Sequence, residues 1–235
     1  MFGRRERQDE GARAAAEGRL LARPRVAEPG AGAAGLHRLG LGGARDGFVY
    51  VPESYERVRP APIAVVLHGA GGDAGQGVGL LKELADESGL VLLAPDSRGV
   101  TWDVIEGGYG PDVSFVDAAL AQTFSRYPVD ASRVAACGFS DGASYALSLG
   151  AANGDLFTHV LAFSPGFMAP PALVGRPRLF VSHGRYDRVL RVDVCGRRVA
   201  TEAQASGYEV EYVEFEGPHT VPREVARAGV GWFLK

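Results

Sequence analysis

Chemistry in this chain centres on one serine. Gly138-Phe139-Ser140-Asp141-Gly142 follows an apolar run and opens a helix-like one, so Ser140 stands at a strand-to-helix junction. Two roles fit that place: a serine caps helix N-termini well, and a serine flanked by glycines on a tight turn presents its hydroxyl as a nucleophile. A hydroxyl reacts at neutral pH only when a base lies within hydrogen-bond reach and an acid orients that base. The five histidines are His37, His68, His159, His183 and His219. His37 lies in the amino-terminal strand region and His159 precedes its apolar run, so both read as structural or exposed. His68 and His183 each precede a glycine at a strand's carboxyl end and border the site. His219, in a Gly/Pro-rich loop after the last strand pattern, is free to reach inward and is the expected base. The expected acid is Asp187, three residues beyond Gly184. Among its rivals, Asp193 reads as a helix-start carboxylate, Asp155 sits in a turn at the opposite edge, and Asp96 reads as a turn residue.

A serine attacking a carbonyl also needs donors for the oxygen that becomes negative. The segment LHGAGGD, residues 67 to 73, has small residues that let backbone N–H groups approach a substrate, and the helix after Ser140 presents its own first amide. Ala70 and Asp141 are the expected oxyanion donors. A phosphate-cradling loop is the competing reading, but the segment lacks the lysine and spacing that such a loop requires.

The elements that must position these groups alternate. Strand patterns fall at 46–52, 62–69, 89–95, 132–139, 159–164, 177–184 and 208–216. Helical patterns fall at 76–88, 111–126, 141–152, 192–206 and 221–234. Alternation of this kind predicts a mostly parallel twisted sheet with helices on both faces, and such sheets gather ligands at the carboxyl ends of their strands. Only about a dozen residues separate Ser164 from Pro177, too few for a lid domain. Residues 1–35, rich in Ala, Gly and Arg with a short helix pattern over 8–21, read as a mobile or peripheral extension. Residues 36–235 then form one catalytic domain.

Composition narrows the classes. At 235 residues, 46% hydrophobic and 23% charged, the chain can bury one α/β core. A net charge of −3, with basic clustering only at the N-terminus, argues against nucleic acid as a partner. No apolar stretch approaches the roughly 18 residues needed to cross a bilayer, and the basic opening lacks a signal peptide's apolar segment. The chain therefore reads as cytoplasmic. Cys137 and Cys195 have neither metal-like spacing nor a context that favours a disulfide.

Five segments, LHGAGGD, APDSRGVTWDVI, GFSDGASYALSLG, SHGRYDRVL and GPHTVP, occur in the order found in the α/β-hydrolase superfamily. Together they resemble the phospholipase/carboxylesterase group, which includes esterases similar to poly-hydroxybutyrate depolymerases. The resemblance covers about residues 36–235. It implies a minimal hydrolase fold without a lid, a Ser140–Asp187–His219 triad, Ala70 and Asp141 as oxyanion donors, and no metal or organic cofactor. It also implies a small-molecule or lipid-like ester as substrate. A thioesterase, an acyl-protein or lysophospholipid deacylase, and a non-catalytic binding protein on the same framework remain alternatives. Trp102 reads equally as a pocket wall and as scaffold, and Phe167, Met168 and Tyr186 are further candidates for the pocket. Oligomeric state is not legible.

Overall fold

The computed structural model describes residues 2–25 and 32–235. Its elements are α1 (Phe2–Ala16), β1 (Gly35–Arg38), β2 (Gly47–Val51), β3 (Ala61–Leu67), α2 (Ala74–Ser88), β4 (Val91–Pro95), α3 (Pro111–Arg126), β5 (Val129–Phe139), α4 (Asp141–Ala152), β6 (His159–Phe163), β7 (Arg178–Gly184), α5 (Gly196–Ala205), β8 (Val210–Phe215) and α6 (Arg223–Phe233). The eight strands form one sheet in the order β1-β2-β4-β3-β5-β6-β7-β8. Both β1 and β4 pair antiparallel with β2, and every other pairing is parallel.

The central strands are apolar on both faces because both are covered. Along β3, Ile63, Val65 and Leu67 join the layer holding buried residues of α3, α4 and α5. Ala64 and Val66 join the opposite layer, with Val78 and Leu81 of α2 and Val225 and Val230 of α6. This is the mostly parallel sheet, covered on both faces, that the alternation predicts, and it agrees with the α/β-hydrolase fold that the resemblance implies. The chain between β6 and β7 is a loop rather than a lid, and it hangs on α4: the N–H groups of Gly166 and Ala169 donate to the Ser144 and Ser148 hydroxyls, both at 2.9 Å.

Three expectations need correction. The strand β1 has no counterpart among the predicted strands, because GLHR is short, lies on the sheet edge and is only half buried. Helix α5 begins at Gly196, not at 192; residues 191–195 close a turn first, with Cys195 N–H donating to the Arg191 carbonyl at 3.0 Å. The extension that reads as mobile or peripheral is, over residues 15–22, packed on the side of the domain. Leu20 is fully buried, and Ala15 and Ala22 are nearly so. The side chain of Asn153 accepts from Leu20 N–H and donates to the Gly18 carbonyl, both at 2.8 Å. Asp117 accepts from the N–H groups of Leu21 and Ala22, and Asp155 pairs with Arg19 and Arg23. Burying Leu20 supplies roughly 2 kcal/mol, and the polar side chains satisfy the backbone around it.

Candidate active site

The parallel strands β3, β5, β7 and β8 end on the same edge of the sheet, and each delivers one part of the site. At the end of β5 the chain turns through Ser140 with φ 57° and ψ −122°, a left-handed conformation that costs a non-glycine residue energy and is tolerated only when its surroundings impose it. Those surroundings are visible. Ser140 N–H donates to the Phe163 carbonyl of β6 at 3.0 Å. A Cβ at Gly138 would strike the backbone of Gly142, and one at Gly142 would strike the Leu67 carbonyl of β3. The two glycines thus let strand, turn and helix pass within backbone contact.

Ser140 occupies the N-cap position of α4 yet makes no side-chain cap hydrogen bond. Its Oγ lies 2.8 Å from His219 Nε2 instead. The imidazole comes from the loop after β8, tilted against Phe139 at 4.7 Å between ring centroids. Its Nδ1 lies 2.5 Å from Asp187 Oδ2. The Asp187 side chain is fully buried, and its Oδ1 accepts from the N–H groups of Val189 and Leu190, both at 2.8 Å. Two backbone donors and an imidazole therefore meet the carboxylate, as a buried charge requires.

The two histidines before glycines are buried, and their ring nitrogens meet partners other than Ser140. His68 Nε2 accepts from Ser97 N–H at 3.0 Å, and its Nδ1 faces the Gly69 carbonyl at 2.7 Å. This is a neutral ring that shapes the turn after β3, and burial pushes its pKa down. His183 Nε2 lies 2.7 Å from the Leu190 carbonyl and 3.3 Å from Asp187 Oδ2. Facing two acceptors, that nitrogen carries the proton; burial, first of all, lowers the pKa and keeps the ring neutral. The contact of His183 with Asp187 went unread in the sequence, although its i, i+4 spacing at a strand end was the available signal. His159 is likewise structural, wedged edge-on against Trp232 and Phe233.

The rival carboxylates are engaged away from Ser140. Asp96 accepts from the N–H groups of Asp46 and Ala74, Asp155 holds the N-terminal arginines, and exposed Asp193 pairs with Arg191 at 2.6 Å. It lies in the turn before α5 rather than at the helix start.

Ala70 lies exposed in the loop after β3. That loop is fixed at its far end by Asp73, whose carboxylate caps α2 by accepting from Gln76 N–H at 2.9 Å. Asp141 is the first residue of α4, so its N–H has no partner within the helix. Among the pocket candidates, Phe167 and Met168 are half buried in the loop hung from α4. Tyr186 is 64% exposed beside a cavity of about 350 Å³ that Arg185, Arg188 and Arg191 also line. Trp102 is not a wall: it is fully buried, stacked on Tyr145 at 4.9 Å, with Nε1–H donating to the His68 carbonyl at 2.8 Å. An indole whose N–H needs a partner finds one in the backbone beneath the glycine loop.

Among the described residues, no group of three or more His, Cys, Asp or Glu side chains could hold a metal ion. None of the described helices is long and apolar enough to cross a membrane.

Known proteins match this arrangement in fold and, in part, in sequence. Esterase PE8 superposes with a TM-score of 0.63 at 19% identity, over 79% of this chain and 98% of that one. A phospholipase/carboxylesterase from Dyadobacter fermentans superposes with a TM-score of 0.56 at 21% identity, over 80% and 96% of the two chains. Feruloyl esterase B of Thermothelomyces thermophilus is 30% identical over 119 residues, which is 47% of this chain and 40% of that protein. The match thus spans well under half the length of this curated relative. The family model described as "Putative esterase" aligns with residues 40–200, a span that runs from the strands before the glycine loop through the serine turn and the β7 loop into α5. With more than half its length matched in this way, the chain belongs to the esterase family.

Proposed function

We propose that this chain is a carboxylesterase that works through an acyl-enzyme, with Ser140 as nucleophile, His219 as general base and Asp187 as the acid that orients it. The observation that carries the proposal is the continuous relay from Ser140 Oγ to His219 Nε2 at 2.8 Å and from His219 Nδ1 to Asp187 Oδ2 at 2.5 Å. As Oγ bonds to the ester carbonyl carbon, its proton passes to His219 Nε2. The carbonyl oxygen becomes an anion and rests on the amides of Ala70 and Asp141. The intermediate collapses, the C–O bond to the alcohol breaks, and His219 returns the proton to the leaving oxygen. Water then attacks the acyl-serine by the same path and releases the acid.

The catalytic unit in this reading is residues 36–235, with the N-terminal segment packed against its side. The lidless loop between β6 and β7 favours short or surface-presented esters. Local similarity to feruloyl esterase B places feruloyl esters in the panel to be tested. Hydrolysis of p-nitrophenyl acetate by wild type and by Ser140→Ala tests the proposal. The variant should lose nearly all turnover and all labelling by a fluorophosphonate, and wild type should show an acyl burst. Equal rates for the two proteins would remove the enzyme reading and leave a binding protein. A series of acyl chain lengths, with matched thioesters and lysophospholipids, separates the carboxylesterase from its thioesterase and deacylase alternatives.

A further inference from the structure

Residues 98–103 form a strap that touches both chain segments expected to donate to the oxyanion. Gly71 N–H donates to the Val100 carbonyl at 2.9 Å, and Trp102 Nε1–H donates to the His68 carbonyl at 2.8 Å. Both bonds hold the loop that carries Ala70. Thr101 Oγ1 donates to Asp141 Oδ2 at 2.7 Å, on the segment that carries the other donor. The strap is itself anchored, because the buried Asp112 carboxylate accepts from Arg98 N–H at 2.5 Å and from Asp103 N–H at 2.7 Å.

Asp141 presents a conflict. Its amide is asked to receive a developing negative charge, yet its side chain carries a full negative charge only a few bonds away. A short carboxylate at a helix start readily folds back to accept from amides of the first turn. In that position it would occupy the donors and repel the oxyanion. We propose that Thr101 is a positioning residue of the oxyanion site: its hydroxyl holds the Asp141 carboxylate aside, so that the Asp141 amide stays open to the reacting oxygen.

This proposal rests on Ser140 being the nucleophile; a double-mutant cycle of Thr101 with Asp141 tests the proposal, and Ser140→Ala tests the nucleophile. Thr101→Val keeps the shape and removes the donor. It should lower kcat for p-nitrophenyl acetate by about tenfold or more, since loss of one oxyanion donor costs about a hundredfold, while KM and Tm stay near their wild-type values. Binding of a trifluoromethyl ketone, which forms an anionic adduct on the serine, should weaken by a similar factor. Thr101→Ser, which restores the hydroxyl, should recover most of the rate. In an Asp141→Asn background the charge is gone, and Thr101→Val should then cost less than about threefold. Full activity of Thr101→Val, or an equal loss in both backgrounds, overturns the role of Thr101. Undiminished turnover by Ser140→Ala instead overturns the nucleophile on which it depends.

Discussion

The protonation pattern around Asp187 makes its replacement by asparagine a demanding test of the triad. Oδ1 accepts from two backbone N–H groups, so in Asp187→Asn the amide oxygen must remain there and the NH2 group must take the place of Oδ2. That group would face His219 Nδ1 and the proton on His183 Nε2. His183 cannot adapt, because its Nε2–H is also committed to the Leu190 carbonyl. His219 therefore has to become the acceptor at Nδ1 and move its proton to Nε2, which then points a hydrogen at Ser140 Oγ and cannot take one away. A wrong tautomer of this kind lowers kcat by about 10⁴, a barrier increase of about 5 kcal/mol. The two backbone bonds to Oδ1 survive, so folding should persist with a Tm within several degrees of wild type. The assay is kcat for p-nitrophenyl acetate from pH 6 to 9, with the fluorophosphonate labelling rate as a second reading of Ser140. A variant that folds and turns over within tenfold of wild type refutes the tautomer assignment, and with it Asp187 as the orienting acid.

Other outcomes follow from the same contacts. Burial and, second, the Arg178 guanidinium push the His159 pKa down to about 4. The unfolded chain thus binds the extra proton first, and stability falls as pH drops from 6.5 towards 4. Between pH 7 and pH 5 that loss is about 2 kcal/mol, and urea titrations should show it in wild type but not in His159→Phe. Leu20→Ala should destabilise the protein by about 3 kcal/mol, whereas a cost below about 0.5 kcal/mol would mean that the N-terminal segment is not docked in solution. Gly142→Ala should abolish turnover, because its Cβ has nowhere to go but into the Leu67 carbonyl; near-normal kcat would contradict the backbone contact between β3 and the serine turn.

How far the sequence discloses this molecule depends on the reach of each signal. Local punctuation is reliable: Pro111 and Asp112 mark the start of α3, and the glycines around Ser140 mark the end of β5 and the start of α4. The contact of Ser140 with His219 spans 79 residues, and chain order and strand ends narrow which loops can meet there. Docking of residues 15–22 was not, since Ala, Gly and Arg carry no apolar period there, and the bonds that hold the segment come from side chains such as Asn153 and Asp117, far along the chain. Trp102 shows the same limit in small: a tryptophan in a strand-end loop suits a pocket or a scaffold equally, and only the partner of its N–H decides. Thr101 and Asp141 lie 40 residues apart on segments whose convergence no local pattern announces.

The two cysteines give this protein a built-in reporter of its own opening. Cys137 lies near the carboxyl end of β5, wholly enclosed, three residues before the serine, while Cys195 sits at the margin where α5 begins. Burial raises the pKa of both thiols, so neither is armed to react in the closed molecule. An alkylating reagent should therefore tag Cys195 through minor local excursions but reach Cys137 only when the central sheet comes apart. Timing the two modifications would separate fraying at the rim from loss of the strand that carries Ser140.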